Sequence, residues 1–164
     1  ANERMDWLLE KATELGASKL LPITAERSVL KLKGERSDKK LAHWQAIAVA
    51  ASEQCGRNRV LQVATPLTLS QAIAASAPQS NGTRWILSLA EGTKSLQEAL
   101  QALPPQTAGQ VQEVTVLSGP EGGLSPAEEA EALAAGFLPV SLGQRVLRAE
   151  TAPVAVLSAL GLLT

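Results

Sequence analysis

The sequence predicts a single α/β domain, a mostly parallel sheet with helices on both faces. Strand-like and helix-like segments alternate from Lys19 to the C-terminus, the pattern of successive strand–helix units. Strand-like segments such as Val114–Leu117 are short, mostly apolar runs, as strands covered on both faces are. Helix starts are written out, most clearly in Ser125-Pro-Ala-Glu128, a capping box with proline at the first helical position. At 164 residues, 45% of them hydrophobic, the chain can build one sizeable core and needs no second domain.

Each element has a local reason. Asn2 is placed to cap a first helix that carries Met5, Leu8, Leu9, Ala12 and Leu15 on one face and ends at Gly16. Residues 19–23 read as a strand. Ser37 or Asp38 is expected to cap the next helix, where Leu41, Trp44, Ile47, Ala48 and Ala51 recur at helical spacing. That helix delivers Glu53-Gln-Cys-Gly-Arg57 at its C-terminal end, where Arg57 and Arg59 complement the helix dipole at the least. Residues 60–64 with 69–75, and 85–89 with 95–103, form two further strand–helix units, the second opened by the capping box Ser95-Leu-Gln-Glu98. Residues 80–83 and 104–109 are loops. Residues 137–142 form a strand that Gly143 ends, and a final apolar helix follows, with Pro153 in its first turn, where proline is tolerated.

Composition narrows the function. Fifteen basic and 16 acidic residues give a net charge of −1, so no global field attracts nucleic acid and any RNA contact is local. Between residues 27 and 40, six basic side chains (Arg27, Lys31, Lys33, Arg36, Lys39, Lys40) face two acidic ones, a local net of +4. A solvated loop and a phosphate-contacting surface both account for that. A single cysteine excludes an intramolecular disulfide framework, no charged-then-apolar leader opens the chain, and a cytoplasmic protein is expected. The longest apolar stretch, 152–163, is well short of the ~20 residues of a membrane helix and is expected to be a buried helix. Three tryptophans and one phenylalanine are too few for an RNA-binding sheet built on stacked bases. Trp7, Trp44 and Trp85 are expected in the core or an interface, Cys55 as a small buried residue, and His43 as a partly exposed helix residue.

The chemistry concentrates between Val114 and Ala152, where two glycine-bearing loops follow strands. In the first, Gly119, Gly122 and Gly123 are expected to allow positive φ and close backbone approach to a ligand, ahead of the unpaired N–H groups of a helix start. The second runs through Gly143. Strand ends in α/β sheets are where ligands bind, although a tight turn before a well-capped helix also accounts for Gly-Pro-Glu-Gly-Gly. No G-x-G-x-x-G fingerprint is present, so NAD is not expected.

Gly119-Pro-Glu-Gly-Gly123 followed by Leu142-Gly-x-Arg-Val-Leu-Arg-x-Glu-Thr-Ala152 resembles the bacterial small-subunit rRNA uracil-N3 methyltransferases, the RsmE family of the SPOUT superfamily. Lys11-Ala-Thr-Glu-Leu-Gly-Ala17, Glu26-Arg-Ser28 and Glu53-Gln-Cys-Gly-Arg57 are similar to further blocks of that family, so the resemblance runs from about Met5 to the C-terminus. It implies an α/β fold with a C-terminal trefoil knot, S-adenosylmethionine bent against the knotted loops, and a homodimer with the substrate site between subunits. It implies 16S rRNA or the small ribosomal subunit as partner, with no membrane and no metal involved. It further implies that residues 1–164 are one methyltransferase domain, without the family's N-terminal β-rich RNA-binding domain.

By motif, the cofactor loops are Leu87, Ser88 and Leu89; Gly119, Glu121, Gly122 and Gly123; and Leu142, Gly143, Val146 and Leu147. Backbone groups there would read the adenine edge while Leu142, Val146 and Leu147 sandwich its ring. Glu121 and Glu150 are candidate bases for the uracil N3 proton, and Arg57 and Arg148 candidate stabilisers of charge on the uracil carbonyls. An ion pair or a charge at the start of the last helix accounts for Glu150 equally well. Arg27, Lys31, Lys33, Arg57 and Arg59 are the expected RNA contacts. The chain departs from the family pattern at Leu61, where proline is common, and in Leu87-Ser-Leu-Ala-Glu91, which lacks a frequent His-Pro. A methyltransferase for another RNA position, such as a tRNA ribose, and a non-catalytic nucleotide- or RNA-docking domain are the alternative readings.

Overall fold

A computed structural model describes residues 2–28, 35–77 and 82–162, and the side chains of all of these except Asn2 and Glu35. Lys31 and Lys33 lie outside the described residues, as does the cap expected from the Asn2 side chain. The chain opens with α1 (Asn2–Glu14), β1 (Lys19–Leu20), β2 (Ile23–Thr24), α2 (Glu35–Cys55), β3 (Gln62–Val63), β4 (Leu67–Thr68) and α3 (Leu69–Ala75). It continues with β5 (Thr83–Leu87), β6 (Lys94–Ser95), α4 (Leu96–Gln101), β7 (Val114–Leu117), α5 (Pro126–Ala134), β8 (Leu138–Ser141) and α6 (Thr151–Gly161).

All strand pairing is parallel. The central sheet has the order β6-β8-β5-β7, and two short pairs, β1-β3 and β2-β4, extend the strand system. Parallel neighbours need crossovers, and the helices supply them. Alternation along β5 sends Trp85 and Ile86 to opposite faces. Ile86 and Leu117 pack with Leu69 of α3 and Ala132 of α5, whereas Trp85 and Val140 pack with Ala99 of α4 and Val156 of α6. Leu9 and Ala12 of α1 meet Trp44 and Ala48 of α2 in a third cluster. The α/β sandwich expected from the sequence is thus the observed architecture.

Local chemistry accounts for the boundaries. Ser125 and Glu128 complete the expected capping box. Thr68 and Gln71 form a second one. At α4 only half of the expected box is made: Ser95 caps the Glu98 N–H, but the Glu98 carboxylate takes the Ser95 hydroxyl instead of its backbone N–H. The strand expected over 19–23 is two strands, because Pro22 has no N–H to give the ladder. The second helix already includes Glu35, and Ser37 is a buried residue within it rather than its cap. Arg84 of β5 lies 4.6 Å over the Phe137 ring and donates to the carbonyls of Ile73 and Ala135, neutralising the C-terminal ends of α3 and α5.

Two expectations fail at the surface. Cys55 is exposed, because α2 ends there and Gly56 turns the chain away from the core. The last helix is not fully buried: in α6 only Val156 is, and the remaining apolar side chains stay partly open. Among the described residues no helix is long and apolar enough to cross a membrane.

Candidate functional site

The C-terminal ends of β8, β5 and β7 lie side by side, so the loops that leave them share one edge of the sheet. Ser88 holds the first loop in place. Its N–H donates to the Val140 carbonyl at 3.0 Å, and its hydroxyl donates to Glu129 of α5 at 2.7 Å while accepting from the Ala90 N–H. Leu89 beyond it is 73% exposed, and Val146 in the loop after β8 is 80% exposed. Two large apolar side chains standing in solvent over a strand-end edge suit a flat apolar ligand. Leu142 is partly buried against the cluster of Trp85 and Val140, Leu147 is half-buried, and Arg148 is exposed.

The glycines act differently from one another. Gly143 (φ +103°) and Gly123 (φ +77°) occupy the left-handed region, with nothing within 4 Å of where a Cβ would stand. Gly119 and Gly122 do not have positive φ, contrary to expectation. A Cβ at Gly119 would come within 3.1 Å of Leu124, and one at Gly122 within 3.2 Å of Arg27 Cβ, so these two permit close packing of the loop itself.

Arg27 donates to the Gly122 carbonyl at 3.2 Å, and the Glu26 N–H donates to Glu128 at 3.1 Å. The start of the basic segment is therefore docked on the first glycine loop. Partial burial works against the Glu128 anion, but the Ser125 and Glu26 N–H groups, the Ser125 hydroxyl and the Arg27 charge outweigh it and hold its carboxyl below the ordinary value.

Glu121 and Glu150 are brought together by a residue that the sequence reading did not single out. Arg4 of α1 reaches Glu121 at 3.2 Å and Glu150 at 3.9 Å. The Glu150 side chain is only 14% exposed, and its Oε2 is buried without a hydrogen-bond partner. Arg57 stands apart from this group. Its guanidinium donates to the carbonyls of Thr13 and Ala17, both at 2.9 Å, and so clamps the turn that ends α1. Arg59 is exposed just beyond. No local pattern marks Arg4, since its partners are 117 and 146 residues away, and only the docking of α1 beside α6 reveals it. Among the described residues, no cluster of His, Cys, Asp and Glu could hold a metal ion.

This chain matches the model of a family described as the RNA methyltransferase domain over residues 1–161. It is 31% identical over 158 residues to ribosomal RNA small subunit methyltransferase E of Bacillus subtilis, covering 96% of this chain and 60% of that protein. To the Synechocystis protein of the same name it is 37% identical over 152 residues, covering 92% of this chain and 46% of that protein. The chain thus spans three fifths or less of the length of these two relatives. A methyltransferase of Legionella pneumophila solved with bound cofactor SAM superposes with a TM-score of 0.83 at 34% identity, over 98% of this chain and 61% of that one. Ribosomal RNA small subunit methyltransferase E of Neisseria gonorrhoeae, bound to S-adenosyl methionine, gives 0.81 at 35% identity, over 98% and 61%.

Proposed function

The chain belongs to the RNA methyltransferase domain family, and from that membership we propose that it binds S-adenosylmethionine and methylates N3 of a uridine in 16S rRNA of the small ribosomal subunit. The observation that carries the reading is the shared edge of the three strand-end loops, with exposed Leu89 and Val146 over glycine-bearing backbone. Glycine opens the backbone for hydrogen bonds to an adenine edge, and the apolar side chains offer its ring a slot. Relatives with this fold were solved with the same cofactor bound.

Bound there, S-adenosylmethionine supplies a methyl group on a sulfonium, and the chain has to hold the nucleophile in line and deal with its proton. Leu87, Ser88 and Leu89, the first glycine loop and residues 142–147 hold the cofactor. Glu150 or Glu121 takes the N3 proton, and Arg148 faces the RNA beside them. Arg27 and Arg59 contact the RNA in this proposal, which their exposure supports. The C-terminal trefoil knot belongs to the same proposal, and its support is that β8, the last strand in sequence, inserts between β5 and β6. So does a homodimer, supported by the incompletely buried apolar side of α6.

Calorimetric titration with S-adenosylmethionine, with ATP and NAD as controls, tests the cofactor. Selective saturable binding is expected, and a folded sample that ignores all three would refute it. Incubation with small ribosomal subunits and nucleoside analysis then tests the position. Accumulation of 3-methyluridine is expected, and a 2′-O-methylated nucleoside would move the reaction to the ribose.

A further inference from the structure

A cavity of about 300 Å³ opens beside the two carboxylates, lined by Glu3, Arg4 and Trp7 of α1 and by Glu150 and Thr151 at the head of α6. That is the lower end of the range for small-ligand clefts, which start at roughly 300 Å³. Its lining is selective in four ways. Trp7, unlike the buried Trp44 and Trp85, is 39% exposed and offers a flat face. Carboxylates of Glu3, Glu150 and nearby Glu121 disfavour a phosphate or any other anion. Glu150 Oε2, buried and unpaired, calls for one hydrogen-bond donor, because a buried carboxylate oxygen without one is costly. Arg4, whose guanidinium spans Glu121 and Glu150, calls for an acceptor beside that donor.

A planar neutral ring presenting one N–H flanked by carbonyl oxygens meets all four demands, and uracil does so through N3–H, O2 and O4. Cytosine and adenine place a lone pair at the corresponding ring nitrogen and would face the carboxylate acceptor to acceptor. Guanine brings two donors, whereas Glu150 has one oxygen to spare because Oε1 faces Arg4.

We propose that this cavity seats the uracil ring that is methylated, with Trp7 as its stacking platform, Arg4 as the cation on its carbonyl oxygens, and Glu150 Oε2 as acceptor of the N3 proton. The assignment rests on the uracil-N3 reading above, and it adds Arg4 and Trp7 to the reacting groups. The step balances. Glu150 becomes a carboxylic acid as it takes the proton, the N3 electron pair forms the bond to the methyl carbon, and the pair of the broken S–CH₃ bond stays on sulfur, which leaves as a neutral thioether. The cavity is placed for this, since Glu121 belongs to the first glycine loop and Glu150 follows the second.

The test uses tryptophan fluorescence of the chain without cofactor, titrated with tri-uridylate, tri-cytidylate and tri-guanylate. Tri-uridylate should quench, with an affinity about tenfold above the other two, as a site built around a specific donor discriminates. Trp7→Leu should abolish the quench, and Arg4→Ala and Glu150→Gln should erase the preference, with S-adenosylmethionine affinity unchanged in all three variants. Equal quenching by the three oligonucleotides, or a preference that survives Arg4→Ala, would overturn the assignment. A parent chain that binds no S-adenosylmethionine but still prefers tri-uridylate would instead sink the cofactor reading and leave the base pocket standing. In methyl transfer, RNA carrying 5-fluorouridine, whose N3–H is more acidic, should restore Arg4→Ala toward the parent rate; a merely structural arginine would show no such rescue.

Discussion

Arg4 Nη1 lies 3.2 Å from Glu121 Oε1, which fastens the first turn of the chain to a loop 117 residues later. Both side chains are substantially exposed, so the pair is screened and costs side-chain entropy to hold. Glu121→Gln should therefore change the unfolding free energy by less than about 1 kcal/mol in urea denaturation, and the change should shrink further in high salt. A loss of several kcal/mol would mean that this contact holds α1 on the domain.

Arg57 tells a different story. Its two 2.9 Å hydrogen bonds to Thr13 and Ala17 are charge-assisted, partly buried, and satisfy carbonyls at the end of α1. Arg57→Ala should cost about 2–3 kcal/mol of stability, measured by denaturant unfolding. Unchanged stability with reduced methylation of small subunits would instead give Arg57 the RNA-facing role that its sequence block implies.

The Gly143 backbone, at φ +103°, is a conformation that side chains resist. Gly143→Val should destabilise the domain by about 1–2 kcal/mol through strain alone. If the loop reads adenine through its backbone, S-adenosylmethionine affinity should also fall by about tenfold, equivalent to ~1.4 kcal/mol. Affinity at the parental level in a folded variant would remove this loop from the cofactor slot.

The capping box at α5 joins stability to pH. Ser125→Ala should cost about 1 kcal/mol. Because the Glu128 carboxyl is held below its ordinary value of 4.5, the anion is favoured by folding. Its contribution is fully present above pH 4.5 and is lost as pH falls below that value through the folded-state one. Glu128→Gln should flatten the acid limb of the stability profile, and an unaltered limb would show that other carboxylates govern it.

Local chemistry was legible in the sequence, and distant chemistry was not. Ser125 and Glu128 are three residues apart, so the pattern that announces the cap is also the pattern that makes it. Val114–Leu117 was legible for the same reason, as a run apolar enough to need covering on both faces. The helix over 69–75 was legible, but its box of Thr68 and Gln71 was not, because two-residue β4 leads straight into the cap. Pro22 was visible, but its effect depends on which partner each half of the strand finds, and those partners, β3 and β4, come some forty residues later. Arg4, Trp7 and Glu150 meet only when α1 lies beside the head of α6.

The open side of α6 predicts self-association. α6 is apolar along its length, yet Val156 is its only buried residue, with Leu157 and Leu160 packed partly against neighbouring clusters. Val154 belongs to none of the core clusters and stays partly open. Apolar area left open along α6 is the composition of an interface core, and a second copy of this helix would cover it in an isologous contact. Sedimentation at micromolar protein should show a dimer. Val154→Glu should give a folded monomer, because a charge there meets water in the single chain and an apolar partner only in the pair. A parent that sediments as a monomer would remove the two-subunit site, whereas a Val154→Glu variant that still dimerises would place the contact on another face.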